Sequence, residues 1–132
     1  MRYLILFSVC VLPLAGCAAM PDCSHPTVTS SVFPLTATAD HTAKPPGNQV
    51  RFGAQVRDDY PAGCAVPALV PIIDDAIWTS SDPINVQISS DVGSTNGVAT
   101  CVGATVGAVT ITGKSPATAN PLLFGTASLT CQ

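Results

Sequence analysis

Charged residues are scarce in this chain of 132 residues, and glutamate is absent. Five residues are basic, and all eight acidic residues are aspartate. A nucleic-acid site needs clustered Lys and Arg side chains to neutralise phosphates, so the chain is not expected to bind nucleic acid. The helix formers Glu, Lys and Gln are rare, whereas Thr, Ser, Val, Ala, Gly and 12 prolines are plentiful. This composition favours short strands joined by turns.

Patterns typical of catalytic or metal sites are also missing. The two histidines, His25 and His41, lie among turn-forming residues, and no Gly-x-Ser-x-Gly elbow accompanies them. Two aspartate pairs, Asp58-Asp59 and Asp74-Asp75, flank one long connection. Neighbours on a strand point to opposite faces, so each pair supplies at most one inward carboxylate. Calcium binding by both pairs together is the alternative. We expect a protein that is not an enzyme and has no metal site and no cofactor.

The N-terminus carries an apolar run from Leu4 to Leu14, which follows one positive charge at Arg2. The run is shorter than the roughly 20 residues that a membrane-spanning helix needs. A short positive start, a short apolar run and small residues at its end are typical of a cleaved export signal. The residues Leu14-Ala15-Gly16-Cys17 resemble the lipobox of bacterial lipoproteins, which are cut before a cysteine that is acylated with fatty acids such as palmitate.

This resemblance implies that residues 1–16 are a lipoprotein signal peptide and that residues 17–26 are a lipidated tether. Cys17 would carry the lipid, and the protein's partner would then be a membrane of the cell envelope. Ala18, rather than aspartate, follows the cysteine. By the same resemblance, this residue implies the outer membrane where the host has two membranes. An ordinary secretory signal with a chance cysteine is the alternative interpretation.

Four further cysteines remain once Cys10 leaves with the signal peptide: Cys23, Cys64, Cys101 and Cys131. An even number in an exported chain predicts two disulfides, with three possible pairings. Zinc binding is the competing interpretation. It is disfavoured because structural zinc sites usually contain a close cysteine pair, and these cysteines are far apart in the chain.

Residues 27–132 are predicted to form one all-β domain, a sandwich of about seven strands. The clearest strand is Gln49–Arg57, in which apolar residues alternate with polar ones, as in a strand with one buried face. Further strands are predicted near residues 27–39 with a bend at Pro34, and near 76–80, 85–89, 98–102, 107–112 and 124–131. The residues expected to be buried together are Val50, Phe52, Val56, Trp78, Val109 and Ile111. In the connection over residues 58–75, the apolar side chains of Val66, Leu69, Val70 and Ile72 are expected to pack against the end of the sandwich.

Two segments resemble the bacterial immunoglobulin-like domains of the BIG2 type. Residues 48–56 (NQVRFGAQV) are similar to that family's second strand. Residues 77–83 (IWTSSDP), followed by 86–88 (VQI) and 107–112 (GAVTIT), are similar to its tryptophan-containing strand and the strands after it. The resemblance implies an Ig-like β-sandwich with Trp78 in the core, and a non-catalytic structural or protein-interaction role of the adhesion type. A carbohydrate- or ligand-binding envelope module that uses the 58–75 loop is the alternative, so the partner would be an envelope protein or a glycan.

In a seven-strand Ig-like sandwich, the chain start and the connection after the second strand lie at one end. The connection after the fifth strand and the chain end lie at the other. A disulfide needs Cα atoms within about 7 Å, which is much less than the length of the sandwich. This topology therefore predicts the pairings Cys23–Cys64 and Cys101–Cys131.

Overall fold

The structure, a computed structural model, describes residues 19–65, 72–116 and 124–132. The described residues form strands and turns without a helix. The strands are β1 (Thr27–Pro34), β2 (Thr38–Ala39), β3 (Gln49–Asp59), β4 (Ile72–Ile73), β5 (Ile77–Ser80), β6 (Val86–Ile88), β7 (Val98–Cys101), β8 (Val109–Lys114) and β9 (Phe124–Cys131). The all-β prediction is confirmed. The predicted signal peptide and Cys17 lie outside the described residues, and within them no helix is long and apolar enough to cross a membrane.

The strands form two sheets. One sheet has the order β1-β3-β7-β6, with the short β4 also paired to β3, and the other has the order β2-β9-β8-β5. This is the strand order of an immunoglobulin-like sandwich, in which the first, second, fifth and fourth strands share one sheet and the third, sixth and seventh share the other. The predicted Ig-like sandwich is thus the observed architecture.

The chain changes from one sheet to the other at Pro34. Strand β1 pairs with β3 from Thr27 opposite Asp59 to Pro34 opposite Phe52. One further hydrogen bond joins the two segments past Pro34, from the backbone N–H of Leu35 to the carbonyl oxygen of Arg51 at 2.8 Å. Strand β2 then pairs in parallel with β9 in the second sheet. The bend that the sequence predicts at Pro34 is therefore confirmed. Because of it, the first segment supplies an edge strand to each of the two sheets.

The core lies between the inner faces of the two sheets. Among the described residues, its largest fully buried side chains are Phe52, Ile111, Leu129, Val50, Val86, Cys101 and Cys131. Trp78, at 5% exposure, packs with its ring centroid 6.3 Å from that of Phe52. Five of the six residues predicted to be buried together are buried.

Val56 is the exception among those six, because it is only half-buried. The buried part of β3 ends at Ala54, which pairs with Val32. Val56 lies one inward position further along the strand, opposite Ser30, at the margin of the core. The strict alternation of the sequence continues past the point where the second sheet covers β3.

The prediction for Ile72 is also wrong. Its side chain is 54% exposed, and it is the neighbouring Ile73, opposite Ala54, that packs against the core. A shift of one residue along a strand exchanges the two faces, which accounts for the difference. Val66, Leu69 and Val70, predicted to pack with it, lie outside the described residues.

Candidate functional site

Different segments of the chain lie at the two ends of the sandwich. At one end, called here the Cys23 end, the segment before β1 lies beside the segment that follows β3, since Thr27 pairs with Asp59. At the other, the Cys131 end, β7 and β9 finish. The turns over residues 40–48, 81–85 and 102–108 lie at the Cys131 end, because they join strands there.

A disulfide closes each end. Cys23–Cys64 links the segment before β1 to the segment after β3, and Cys101–Cys131 links the last residues of β7 and β9, which belong to different sheets. The Cα atoms are 5.8 Å apart in both. Both pairings are those that the Ig-like topology predicts. Cys101 and Cys131 are each 1% exposed, whereas Cys23 is exposed.

The turn over residues 102–106 is held from two sides. The backbone N–H groups of Val102 and Gly103 donate to the carbonyl oxygen of Asn85, at 2.8 and 3.3 Å. Thr105 donates its N–H to the carbonyl oxygen of Cys131 at 3.0 Å, and its Oγ1 accepts from the N–H of Cys131 at 3.1 Å. A Cβ at Gly103 would lie 2.6 Å from Asn85 Oδ1, so a larger residue there would displace the Asn85 side chain. The turn is fixed both to the turn over 81–85 and to the end of β9.

The turn over residues 81–85 is fixed in the same way by Asp82. Its carboxylate accepts from the N–H of Asn85 at 3.2 Å and from Asn85 Nδ2 at 2.8 Å, and its backbone carbonyl accepts from the N–H of Val86 at 2.9 Å. The two hydrogen bonds from Asn85, of which the one from its side chain has the larger effect, hold the pKa of Asp82 below its ordinary value of 3.8.

The two turns together display apolar side chains. Ile84 is 80% exposed, Val102 is 53% exposed and Val106 is fully exposed. Residues 102–108 (VGATVGA) contain no charged side chain. Exposed apolar residues are common on protein surfaces, and these three lie on two turns that are hydrogen-bonded to each other. We call Ile84, Val102 and Val106 the apolar tip.

Trp78 has a structural role. Its Nε1 donates to Asn96 Oδ1 at 2.7 Å, and Asn96 Nδ2 donates to the carbonyl oxygen of Ala76 at 2.9 Å. Asn96 is 4% exposed. The buried indole N–H thus has its partner inside the protein, and the ring is not available to stack on a ligand. The sequence signals only a turn over residues 91–97, so the part that Asn96 plays in the core becomes visible only in three dimensions.

The two histidines lie at opposite ends of the sandwich. His25 is exposed near the Cys23 end. His41 lies at the Cys131 end, where its backbone N–H donates to the carbonyl oxygen of Gln132 at 3.0 Å. Asp59 accepts hydrogen bonds from Thr29 Oγ1 and from the Arg57 guanidinium, and these hold its pKa below the ordinary value.

The two aspartate pairs are separated along β3. Ile73 pairs with Ala54, so Asp74 and Asp75 lie several residues along β3 from Asp58 and Asp59, roughly 13 Å or more at the rise of a strand. They do not form a common calcium site. Within the described ranges, no group of three His, Cys, Asp or Glu side chains could hold a metal ion.

A cavity of about 270 Å³ lies beside β3 and β4. Its lining includes Leu35, Arg51, Ile72 and Asp74. It adjoins the part of the 58–75 connection that the structure describes. Within that part Tyr60 is half-buried, and residues 66–71 lie outside the description.

No protein-family model, no curated protein and no solved structure matches the chain. The resemblances to bacterial lipoproteins and to BIG2 domains therefore depend on the residues quoted above.

Proposed function

We propose that the protein is a lipid-anchored, Ig-like domain of the bacterial cell envelope, related to the BIG2 domains, with a non-catalytic structural or protein-interaction role. Acyl chains on Cys17 would hold it to the membrane, and residues 17–26 would be the tether.

The pairing of the cysteines in disulfides is the observation that most directly supports this proposal. All four cysteines that follow Cys17 are paired in disulfides. Disulfides form and persist in oxidising compartments such as the bacterial periplasm or the cell exterior, so this pairing supports export. It also leaves Cys17, at the end of the Leu-Ala-Gly-Cys sequence, without a disulfide partner among these four.

Metabolic labelling with an alkyne analogue of palmitate tests the anchor. We expect the chain to be labelled and to sediment with membranes. Each methylene group buried in the bilayer contributes about 0.8 kcal/mol to membrane binding, so several acyl chains together bind the protein stably to the membrane. Cys17→Ser should abolish the label. Cys10→Ser is the matched control, since that cysteine lies within the segment to be removed, and should leave the label in place. A labelled Cys17→Ser protein would refute the anchor.

The burial of Trp78 and the exposure of the apolar tip support an interaction role. The aromatic side chain best suited to stack on a sugar is enclosed in the core, whereas aliphatic side chains project from the Cys131 end. Aliphatic groups of this kind pack against protein surfaces.

The cavity beside β4 is the observation that favours the second candidate, a glycan- or ligand-binding module. Arg51 and Asp74 in its lining could hydrogen-bond to sugar hydroxyl groups. Retention on immobilised peptidoglycan, lost in Arg51→Ala and kept in Lys114→Ala, would support this candidate. Equal retention of both variants would count against it.

A further inference from the structure

The turn over residues 91–97 ends in the only Asn-Gly sequence of the chain, Asn96 followed by Gly97. An asparagine in this sequence can lose its side-chain amide without an enzyme. The backbone nitrogen of the glycine attacks the asparagine Cγ, the Cγ–Nδ2 bond breaks, and ammonia leaves with the proton of the glycine N–H. Water then opens the cyclic imide at one carbonyl to give aspartate, or at the other to give isoaspartate. Glycine favours the attack, because it has no side chain to hinder its nitrogen and its backbone is the most flexible.

In the folded protein, the groups that have to react are all held by hydrogen bonds. The N–H of Gly97, whose proton has to leave, donates to the carbonyl oxygen of Ser89 at 3.0 Å. Asn96 Oδ1 accepts from Trp78 Nε1 at 2.7 Å, and Asn96 Nδ2 donates to the carbonyl oxygen of Ala76 at 2.9 Å. Asn96 is also buried, which keeps base and water away from its Cγ. Formation of the imide therefore has to wait until this turn opens.

We propose that Asn96 is a deamidation site that the native fold keeps closed, and that its reaction converts an unfolded chain into one that cannot return to this structure. The proposal goes beyond the function proposed above and does not depend on the lipid anchor. Molecules that stay folded keep the amide, and molecules that remain open lose it. The amide is thus a chemical record of whether a given molecule has unfolded.

Neither product of the reaction fits the place that the amide occupies. An aspartate has no N–H to donate to the carbonyl oxygen of Ala76, and its charge would be buried beside the Trp78 ring. An isoaspartate lengthens the main chain by a methylene group directly before Gly97. There is no room for the resulting shift, because even a Cβ at Gly97 would collide with the carbonyl oxygen of Phe52. Both products should therefore be excluded from the native packing.

The other asparagines of the chain provide internal comparisons. Asn48 and Asn85 precede residues with larger side chains, which hinder the attacking nitrogen, and Asn120 precedes a proline, which has no N–H to lose. In the unfolded chain the reaction should therefore occur first at Asn96.

Deamidation of the disulfide-bonded protein in native buffer and in guanidinium chloride, at the same mildly alkaline pH and ionic strength, tests whether the fold closes the site. Peptide mapping measures aspartate and isoaspartate at each asparagine. In the denaturant, Asn96 should be converted before Asn48 and Asn85. In native buffer, its conversion should be at least about a hundredfold slower, because only the small population of open molecules reacts. Equal rates at Asn96 in the two buffers, or conversion of Asn85 as fast as that of Asn96 in the denaturant, would overturn the proposal.

Removal of the denaturant tests whether refolding is blocked. The fraction of molecules that do not regain the native fluorescence of Trp78 should equal the fraction deamidated at Asn96. A sample held in the denaturant at mildly acidic pH, where the Gly97 nitrogen keeps its proton, is the control and should refold. Equal losses in the two samples, or deamidated molecules that refold to the wild-type unfolding midpoint, would refute the block.

Two variants test the aspartate product directly. Asn96→Asp should lower the denaturant concentration at the unfolding midpoint or prevent folding. Gln87→Glu makes the same change from amide to acid on an exposed side chain, and it should keep the wild-type midpoint. A wild-type midpoint for Asn96→Asp would show that the site accepts the product, and the proposal would then be wrong.

Discussion

Gly97 shows how one residue can be required by both its backbone and its surroundings. Its φ is +76°, and a Cβ at this position would collide with the carbonyl oxygen of Phe52 and approach the Trp78 ring. Its carbonyl accepts the N–H of Phe52 at 2.8 Å, so the turn lies directly against β3. The sequence indicates glycine's turn role here, but not this contact.

We predict that Gly97→Ala is much more destabilising than Gly93→Ala. Gly93 also has a positive φ, +103°, but a Cβ there would have no atom within 4 Å. Gly93→Ala should therefore cost only the backbone strain, about 1–2 kcal/mol, whereas Gly97→Ala adds a steric clash. Urea unfolding of both variants measures the difference. If both variants lost the same free energy of unfolding, the contact between Gly97 and Phe52 would be contradicted.

A second prediction at this scale concerns Phe52, which is 1% exposed in the centre of the core. Phe52→Ala should lower the free energy of unfolding by about 3–5 kcal/mol, because it removes buried area and leaves a cavity. Phe124→Ala is the matched control, since that ring is 69% exposed, and it should change the stability by less than about 0.5–1 kcal/mol. Thermal unfolding of the two variants decides whether the inner face of β3 is correctly identified.

The two disulfides should respond differently to reductant. Cys101 and Cys131 are enclosed in the core, whereas Cys23 is exposed, so a thiol reaches the Cys23–Cys64 bond without unfolding the domain. Under mild reducing conditions we expect Cys23–Cys64 to open first, as read by alkylation and peptide mapping. Simultaneous reduction of both bonds would show that the Cys131 end opens more readily than its burial implies.

The positions of the strands could be predicted from the sequence, because turn residues separate short runs of alternating polarity. The two-residue strands could not. β4 exists only because β3 offers a free edge at Ala54 and Gln55, and β2 is distinguished from β1 only by its pairing with β9. The apolar tip was also missed, since Ile84, Val102 and Val106 have the character of core residues in a sequence. Their exposure depends on how the turns over 81–85 and 102–106 lie against each other.

At the scale of the whole molecule, we predict that the free energy of unfolding depends on pH. Hydrogen bonds hold the pKa values of Asp40, Asp59 and Asp82 below the ordinary 3.8 in the folded state. A carboxyl group whose folded pKa is lowered stabilises the fold above its unfolded pKa, and this contribution is lost as the pH falls through the folded value. The free energy of unfolding should therefore decline below about pH 3.8.

Asp82→Asn tests the origin of this decline. The variant should be less stable than the wild type at neutral pH, because Asn85 loses its charged partner, and the difference should narrow as the pH falls below 3.8. Asp75→Asn, at an exposed position, should follow the wild-type curve. A constant gap between Asp82→Asn and the wild type at every pH would exclude the ionisation of Asp82 as the cause.

The positions of the two disulfides have a mechanical consequence. Under a pulling force applied between Cys23 and Cys131, the load bypasses residues 24–63 and 102–130, because covalent bonds close both segments. Only the 36 residues from 65 to 100 can lengthen, by about 130 Å at most. With both bonds reduced, the same pull would draw out roughly three times that length. Oxidation thus makes the domain a short and stiff link, with a fixed limit to the distance over which its two ends can separate.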